Sequence, residues 1–287
     1  MDRIRLIASD MDATLLDEQS QLPADFEETI HALAELGIRF APASGRPLYT
    51  LEAMFPTLQD ELVFIGDNGG AIRWKGQNLF TSEMSPEGWR ALNRLTREQG
   101  DIAVLCGLES AYVERPFAVH DAVLRHFYTK IEYVDRLEDV AAPADKFTIY
   151  LPQHNAQQAY DTVYASQRSI YSVAVAGECW VDIMNPGVHK GAALQTLGQL
   201  WGLPSESIMA FGDTYNDAEM LRTAKYGFLM ENGSEPLRQK VPFLAPSHRE
   251  AGVMQVLHRV LAQNGCVCPE DFVPAHVRYS GYFGLLP

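Results

Sequence analysis

The sequence predicts an α/β protein, in which a Rossmann-like core with a parallel sheet is interrupted by a smaller α+β domain. Strand and helix patterns alternate over residues 1–82 and again over residues 186–263, which is typical of a parallel sheet with crossover helices. Over residues 83–185, strand patterns come in pairs, which favours an antiparallel sheet with helices on one side. We therefore expect a discontinuous core, an inserted domain and an extension at residues 264–287.

The core elements are predicted from apolar runs and from helical spacing. The buried run at residues 4–9 indicates a strand, and Phe26, Ile30 and Leu33 share one face of a helix over residues 23–37. Further core elements are expected as strands at 38–44, 62–66, 208–213 and 227–230, and as helices around Leu194, Leu197 and Trp201, at 218–223 and at 250–262.

The inserted domain begins with a well-marked helix. Ser85 suits its N-cap, Pro86 its first position and Gly100 its end. The remaining pattern predicts a hairpin of residues 102–105 and 111–113, a helix that buries Val119, Val123 and Phe127, strands at 146–151, 171–176 and 179–184, and a helix at 156–166.

Composition limits the function classes. The chain has 287 residues, 47% of them hydrophobic, and a formal net charge of -14. Such a charge repels nucleic acid and anionic membranes, so we expect neither as a partner. The four cysteines are too few and too scattered for a disulfide scaffold, and there is no signal-peptide pattern and no run of about 18 apolar residues. We therefore expect a cytoplasmic protein.

Each of four polar clusters is expected at the carboxyl end of a predicted core strand. They are "DMDAT" (10–14), "ASGRP" (43–47), "HKG" (189–191) and "GDTYND" (212–217). In open α/β sheets, ligands bind at the carboxyl ends of the strands. Each cluster alone is ordinary turn or helix-start chemistry. The functional signal is the set of four, in order and flanking one insertion.

These residue types suit phosphoryl transfer. A carboxylate such as that of Asp10 can attack phosphorus, provided that a divalent metal neutralises the carboxylates and the phosphate together. Asp213 can supply a further metal ligand, Ser44 a hydroxyl donor, and Lys190 a compact positive charge. The helix N-termini behind the glycines of the second and third clusters add backbone N–H donors.

The four clusters resemble the motifs of the haloacid dehalogenase (HAD) superfamily. "LIASDMDATLLDE", "FAPASGRP", "GVHKGAAL" and "MAFGDTYNDAEML" are similar to its four motifs in order. The insertion is similar to the type C2 cap of the Cof-like, type IIB branch, and "CGLESAYV" (106–113) looks like its sugar-phosphatase members. The resemblance covers residues 1 to about 263.

The resemblance implies a role for each matching residue. Asp10 would be the nucleophile and a Mg²⁺ ligand, and Asp12 the general acid and base, with its backbone carbonyl also on the metal. Asp213 would complete the protein's metal ligands. The phosphate-binding and supporting residues implied in the same way are Ser44, Gly45, Lys190 and Asn216, supported by Thr14, Arg46 and Asp217.

One residue departs from the family pattern, which has glycine where this chain has Ala13. If the position needs a positive φ, alanine costs about 1 kcal/mol or more. If φ is negative, alanine is harmless. Every charged and hydroxyl group of the motifs is kept, so we expect activity.

The resemblance implies that substrate choice lies with the cap and with the core loop after residue 66. The candidate substrate contacts are Asn68, Gly69, Cys106, Glu178, Trp180 and His189. Two of them have equally good structural interpretations, because Trp180 suits the cap core and His189 suits a helix start.

Three functions compete at this point. The first is a magnesium-dependent phosphatase of small phosphate esters, with sugar phosphates implied by the resemblance. The second is a phosphomutase on the same scaffold, and the third is a non-catalytic ligand-binding protein. A dinucleotide site is excluded because "GDNGG" is not the required glycine pattern. The partner would be a small phosphate ester, and the chain a monomer or homodimer.

Overall fold

The computed structural model describes residues 1–276, so the apolar chain end at 277–287 lies outside the described residues. Within the described part, the strands are β1 Asp2–Arg3, β2 Leu6–Ser9, β3 Arg39–Pro42, β4 Val63–Gly66, β5 Ala71–Trp74, β6 Gln77–Thr81, β7 Ile102–Gly107, β8 Ala111–Glu114, β9 Ile131–Val134, β10 Ala144–Tyr150, β11 Ser172–Val175, β12 Trp180–Met184, β13 Ile208–Gly212, β14 Tyr226–Met230, β15 Phe243–Ala245, β16 Cys266–Val267 and β17 Val273–Pro274.

Eight α-helices accompany these strands over residues 1–276. They are α1 Phe26–Glu35, α2 Leu48–Ala53, α3 Pro86–Gln99, α4 Asp121–Phe127, α5 Ala156–Thr162, α6 Lys190–Trp201, α7 Ala218–Thr223 and α8 Gly252–Ala262. Within this range, every helix is too short or too polar to cross a membrane.

The core sheet has the strand order β17-β15-β14-β13-β2-β3. All of these strands except β17 run parallel to one another. The bridge between Ala43 and Ile65 adds β4 beside β3 in the same direction. The predicted parallel sheet is therefore confirmed. Its carboxyl ends form one edge, where the polar clusters after β2, β3 and β13 come together.

Helices cover both faces of the core sheet. On one face, Phe26 of α1 and Leu257 of α8 pack with Ile7 of β2. On the other face, Leu194 of α6 and Leu221 of α7 pack with the strand residues whose side chains point away from the face of Ile7. This alternation follows from the two-residue repeat of a strand buried on both sides.

A second six-stranded sheet, which we call the cap sheet, has the order β11-β12-β10-β7-β8-β9. Its pairs are antiparallel except for β8 and β9, which are parallel. The helices α3 and α5 pack on one face. On the other face, α4 packs through Leu124 and Phe127 against Val104 and Trp180, so the expectation of helices on one side is wrong.

The sequence also misplaced the buried face of α4. Val119 precedes the helix and is 84% exposed, and Val123 is 43% exposed, whereas Leu124 is fully buried. The predicted helix at 156–166 ends as an α-helix at Thr162. At the end of the chain, β16 pairs with β1 and β17 with β15, so this part of the extension packs on the core.

The N-terminus of helix α3 shows the hydrogen bond that the sequence predicts for Ser85. The Ser85 hydroxyl accepts a hydrogen bond from the Gly88 N–H at 3.1 Å, and Gly100 ends the helix with a φ of 75°. Ser85→Ala should lower the free energy of unfolding by about 1 kcal/mol, because it removes this acceptor. Urea unfolding followed by circular dichroism measures the change. Ser85→Asp keeps an acceptor and should match the wild type, so equal loss in both variants would contradict the capping role.

Candidate active site

The nucleophile candidate stands at the end of the central strand β2. Asp10 has extended backbone angles, and its N–H donates to the Phe211 carbonyl of β13 at 2.9 Å. Ser44 follows β3 in the same way and donates its N–H to the Ile65 carbonyl at 2.9 Å. The parallel register thus brings Asp10, Ser44 and Asp213 to one edge of the sheet.

A buried lysine connects two carboxylates at this edge. Lys190 is the first residue of α6, and its fully buried Nζ donates to Asp10 Oδ1 and, at 2.7 Å, to Asp217 Oδ1. The side chain of His189 caps this helix by accepting the Ala192 N–H at 3.1 Å. The structure therefore places Lys190 beside the nucleophile candidate.

Asp217 holds the loop that carries Asp213. Its Oδ2 accepts the N–H groups of Asp213 at 3.0 Å and of Thr214 at 3.1 Å, while its Oδ1 faces Lys190. Asp217 is fully buried. All of its carboxylate contacts serve the protein itself, so it positions Asp213 and Lys190.

The electrostatics of this cluster suit a divalent cation. Asp10, Asp213 and Asp217 each offer a carboxylate oxygen, and these oxygens lie within 4.8 Å of one another. Burial and the Asp217 charge raise the pKa of Asp10 to about 8 and that of Asp213 to about 6. Lys190 offsets only part of this repulsion. Carboxylate oxygens are the ligands that Mg²⁺ prefers, so the residues present fit the ion.

Asp12 stands at the mouth of the site. Its side chain is 58% exposed. Arg46 Nη2 donates to its two carboxylate oxygens at 2.9 and 3.2 Å. The Arg46 N–H in turn donates to Ser44 Oγ at 3.1 Å. Arg46 therefore links the acid–base candidate Asp12 to the phosphate-binding candidate Ser44.

Thr14 supports the metal-ligand candidate. Its Oγ1 donates to Asp213 Oδ1 at 3.5 Å.

The loop between Asp10 and Thr14 is strained at Ala13. This residue has a φ of 58°, so the costly case considered for alanine applies. The Asn232 side-chain amide donates to the Ala13 carbonyl at 2.9 Å and holds the loop.

A cavity of about 180 Å³ lies between this edge of the core and the cap sheet. On the core side it is lined by Asp12, Ser44, Gly45, Arg46, Asn68 and Asn216. On the cap side it is lined by Phe127, Tyr128, Lys146, Thr148, Trp180 and Asp182. We call this cavity the cleft.

Of the six candidate substrate contacts, the structure brings Asn68 and Trp180 into the cleft. Cys106 is buried, with its Sγ near Tyr128 Oη and Thr148 Oγ1. Burial raises the pKa of the Cys106 thiol to about 12. The structure does not place Cys106 on the cleft wall.

The other three candidates also lie off the cleft wall. Glu178 is exposed and pairs with His154 at 3.1 Å. His189 caps α6, as described above. Gly69 has a φ of 99°, and a Cβ there would lie 2.6 Å from the His189 carbonyl oxygen, so this glycine permits a close backbone approach.

Sequence reasoning missed the polar residues of the cap wall. Lys146 Nζ donates to the Gly45 carbonyl at 2.6 Å and pairs with Asp67 at 2.9 Å and Asp182 at 3.5 Å. Burial alone would lower the pKa of Lys146, but these two carboxylates raise it. The available signal was the alternation of polar residues at 146, 148 and 182 within otherwise apolar strands.

Comparison with known proteins gives one consistent family. The model of the haloacid dehalogenase-like hydrolases matches residues 7–257. The 5-amino-6-(5-phospho-D-ribitylamino)uracil phosphatase YbjI of Escherichia coli K12 is 32% identical, covering 90% of this chain and 96% of that one. The HMP-PP phosphatase of Cronobacter sakazakii is 31% identical, covering 84% and 89%.

Solved structures agree with the fold. SMU.1108c from Streptococcus mutans UA159 has a TM-score of 0.80 at 29% identity and covers 90% of this chain and 99% of that one. A haloacid dehalogenase-like hydrolase from Bacteroides thetaiotaomicron has a TM-score of 0.78 at 22% identity, covering 90% and 100%. At that identity the second likeness shows the fold alone.

Replacing the strained alanine tests the backbone argument. Ala13→Gly should raise the free energy of unfolding by about 0.5–1 kcal/mol, because glycine adopts a positive φ without the Cβ clash. Urea denaturation measures the difference. In the control Ala32→Gly, within α1, the same exchange should destabilise by about 1 kcal/mol. A loss of stability in both variants would contradict strain at Ala13.

Removing one charge from the buried cluster tests the role of Asp217. Asp217→Asn should lower the free energy of unfolding by about 2 kcal/mol, because Lys190 loses a charged partner and the loop N–H groups a strong acceptor. The control is Glu219→Gln on the same segment, whose carboxylate is 42% exposed and pairs with Arg222. We expect a change below about 0.5 kcal/mol there. Equal effects in thermal or urea unfolding would contradict the positioning role.

Proposed function

Because this chain belongs to the haloacid dehalogenase-like hydrolase family, we propose that it hydrolyses small phosphate monoesters with Mg²⁺ through an aspartyl-phosphate on Asp10. That it is a phosphatase follows from the family and from the phosphatases it resembles. The observation that carries the proposed mechanism is the buried cluster of Asp10, Lys190 and Asp213 at the carboxyl edge of the core sheet.

Each half of the reaction combines this cluster with Asp12 and Ser44 beside it. In the first half, an Asp10 oxygen bonds to phosphorus, the ester P–O bond breaks, and the leaving oxygen takes a proton from Asp12. In the second, Asp12 takes a proton from water, whose oxygen attacks phosphorus and releases phosphate and free Asp10. Lys190 and Ser44 would hold the phosphoryl oxygens.

The metal fits the same residues. The carboxylates of Asp10 and Asp213 and the backbone carbonyl of Asp12 would hold Mg²⁺, and the bound ion would neutralise the charge that develops on the phosphoryl group. Asp217 would keep Asp213 in place through the two N–H bonds of its loop.

We include a sugar-type substrate and a cytoplasmic location in the proposal. The substrate in the name of the Escherichia coli relative carries its phosphate on a ribityl chain. This supports a sugar-like phosphate ester as the substrate. The four cysteines, Cys106, Cys179, Cys266 and Cys268, are free thiols, which agrees with a reducing compartment.

Phosphate release tests the proposal. The wild-type protein should release inorganic phosphate from ribose 5-phosphate, glucose 6-phosphate or p-nitrophenyl phosphate with Mg²⁺ and stop when EDTA is added. Asp10→Asn should reduce the rate by about 10³-fold or more, because it removes the nucleophile. The control Asp60→Asn changes an exposed carboxylate and should leave the rate unchanged.

Two results would overturn this function. Absence of phosphate release from all three esters in the folded, Mg²⁺-loaded protein would exclude the hydrolase. Phosphate that moves between hydroxyl groups of a sugar without being released would identify a phosphomutase.

A further inference from the structure

Three side chains of metal-ligating type meet on the cap. We call His154, Glu178 and Cys179 the cap triad. His154 Nδ1 lies 3.4 Å from Cys179 Sγ and 3.1 Å from a carboxylate oxygen of Glu178. Over residues 1–276, Cys179 is the one cysteine whose sulfur contacts a histidine. The thiol and the carboxylate therefore approach the same ring nitrogen.

One ring nitrogen cannot serve both of these partners by hydrogen bonding. A histidine nitrogen either accepts a hydrogen bond through its lone pair or donates one through its proton. If Nδ1 of His154 accepts from the Cys179 thiol, it has no proton for Glu178. If it donates to Glu178, the thiol loses its acceptor. A cation held among the three groups would instead use the sulfur, the nitrogen and the oxygen together.

The two distances agree with coordination of a zinc-sized ion. Zn–S bonds of about 2.3 Å and Zn–N bonds of about 2.0 Å at a tetrahedral angle place the two ligand atoms about 3.5 Å apart. A nitrogen and a carboxylate oxygen on the same ion lie about 3.3 Å apart. The observed separations from His154 Nδ1 are 3.4 Å to sulfur and 3.1 Å to oxygen.

Backbone hydrogen bonds hold together the two segments that carry the cap triad. The Leu151 N–H donates to the Cys179 carbonyl at 2.8 Å, and the Ala156 N–H donates to the Glu178 carbonyl at 3.0 Å. These bonds continue the pairing of β10 with β12 beyond the ends of the strands. The loop of His154 is thus fixed beside Cys179, and binding of an ion requires little ordering of the backbone.

Glu178 completes the cap triad by a rotation of its side chain. Among residues 1–276, the cluster of Asp10, Asp213 and Asp217 is the one group of three whose ligand atoms already lie within 4.8 Å of one another. In the cap triad, both short distances run from His154, and the carboxylate must still turn toward the sulfur. The Glu178 side chain is 80% exposed, so solvent leaves room for this movement.

The chemistry of the ligands selects the class of cation. Thiolate and imidazole suit zinc and related transition metals, whereas Mg²⁺ prefers oxygen ligands alone. A thiolate and a carboxylate together carry two negative charges, which one divalent ion neutralises. Without an ion, burial and the Glu178 charge raise the pKa of the Cys179 thiol, so this cysteine is not prepared as a nucleophile.

We propose that His154, Glu178 and Cys179 form a second metal site, which takes a divalent cation of the zinc class and leaves a fourth position to water. The site is separate from the carboxylate cluster at the edge of the core sheet. The proposal is independent of the phosphatase function, because its ligands all belong to the cap and its test measures metal binding.

Cobalt provides the test, because a thiolate bound to Co²⁺ gives a charge-transfer band in the near ultraviolet and carboxylate ligands do not. The full chain is reduced, stripped with EDTA and desalted, and Co²⁺ is then added in the presence of excess Mg²⁺, which competes for the carboxylate cluster. We expect the band to appear and to saturate. Zn²⁺ should then displace Co²⁺ and abolish the band, whereas further Mg²⁺ should not.

Variants assign the band to the cap triad. Cys179→Ser should abolish it. His154→Asn and Glu178→Gln should each weaken Co²⁺ binding by about tenfold or more. Asparagine is chosen at position 154 because the residue has a φ of 57°, which asparagine tolerates.

Two controls match these changes. Cys266→Ser removes a thiol outside the cap and should leave the band unchanged. His31→Asn removes an imidazole that pairs with Glu61 at 2.9 Å and should leave Co²⁺ binding unchanged. Circular dichroism checks that every variant is folded.

Three results would overturn the proposal. The first is the absence of a charge-transfer band in the folded wild-type protein. The second is a band that persists in Cys179→Ser, which would place the bound thiolate elsewhere. The third is a band that Cys179→Ser abolishes while His154→Asn and Glu178→Gln bind Co²⁺ as tightly as the wild type, which would identify a single reactive thiol instead of a site.

Discussion

The candidate active site depends on the buried contacts of the Lys190 ammonium group with Asp10 and Asp217. The parallel sheet brings Asp10 and Asp213 to one edge, and the following turn adds Asp217, so three buried carboxylates share a small volume. One ammonium leaves a formal charge of -2 when all three are ionised (three negative charges and one positive). That remainder is the charge of one divalent cation. The same electrostatic imbalance that makes this cluster of carboxylates costly to bury therefore suits it to bind a divalent cation.

A second buried lysine, Lys146, connects the cap to the core beside the cleft. Lys146 comes from the cap strand β10 and reaches the core at the Gly45 carbonyl and at Asp67. The N–H groups of Asp67 and Asn68 in turn donate to the carbonyls of Arg46 and Ser44, both at 2.9 Å. Ser44 and the loop of Asp67 and Asn68 are therefore coupled through the backbone, and Lys146 joins the cap to both.

The sequence predicted the parts of the fold that local signals determine. The core strands stand out as short apolar runs, and helix α3 carries a signal at each end, Ser85 and Gly100. The buried face of α4 was misplaced because the chain changes conformation at Asp121, so the spacing of Val119 and Val123 does not continue into the helix.

The site residues also fall into those that the sequence predicted and those that it did not. The four core motifs carry their residues in fixed order along the chain, so the sequence alone brought Asp10, Lys190 and Asp213 into one hypothesis. Lys146 and Asp182 escaped it because their importance arises only when the cap packs on the core. The polar residues at 146, 148 and 182 stand out within apolar strands, but nothing local shows that Lys146 meets a carbonyl 101 residues away.

Ala13 shows why such a site tolerates a strained residue. The loop that carries Asp10 and Asp12 is held by contacts that do not involve the Ala13 side chain: Lys190 on Asp10, Arg46 on Asp12 and Asn232 on the Ala13 carbonyl. These contacts set the backbone path, so the alanine adopts a positive φ at a local cost of about 1 kcal/mol instead of redirecting the loop. The chemistry requires the positions of the oxygens on either side. Strain at a residue between them lowers stability, while the contacts of Asp10 and Asp12 hold those oxygens in place.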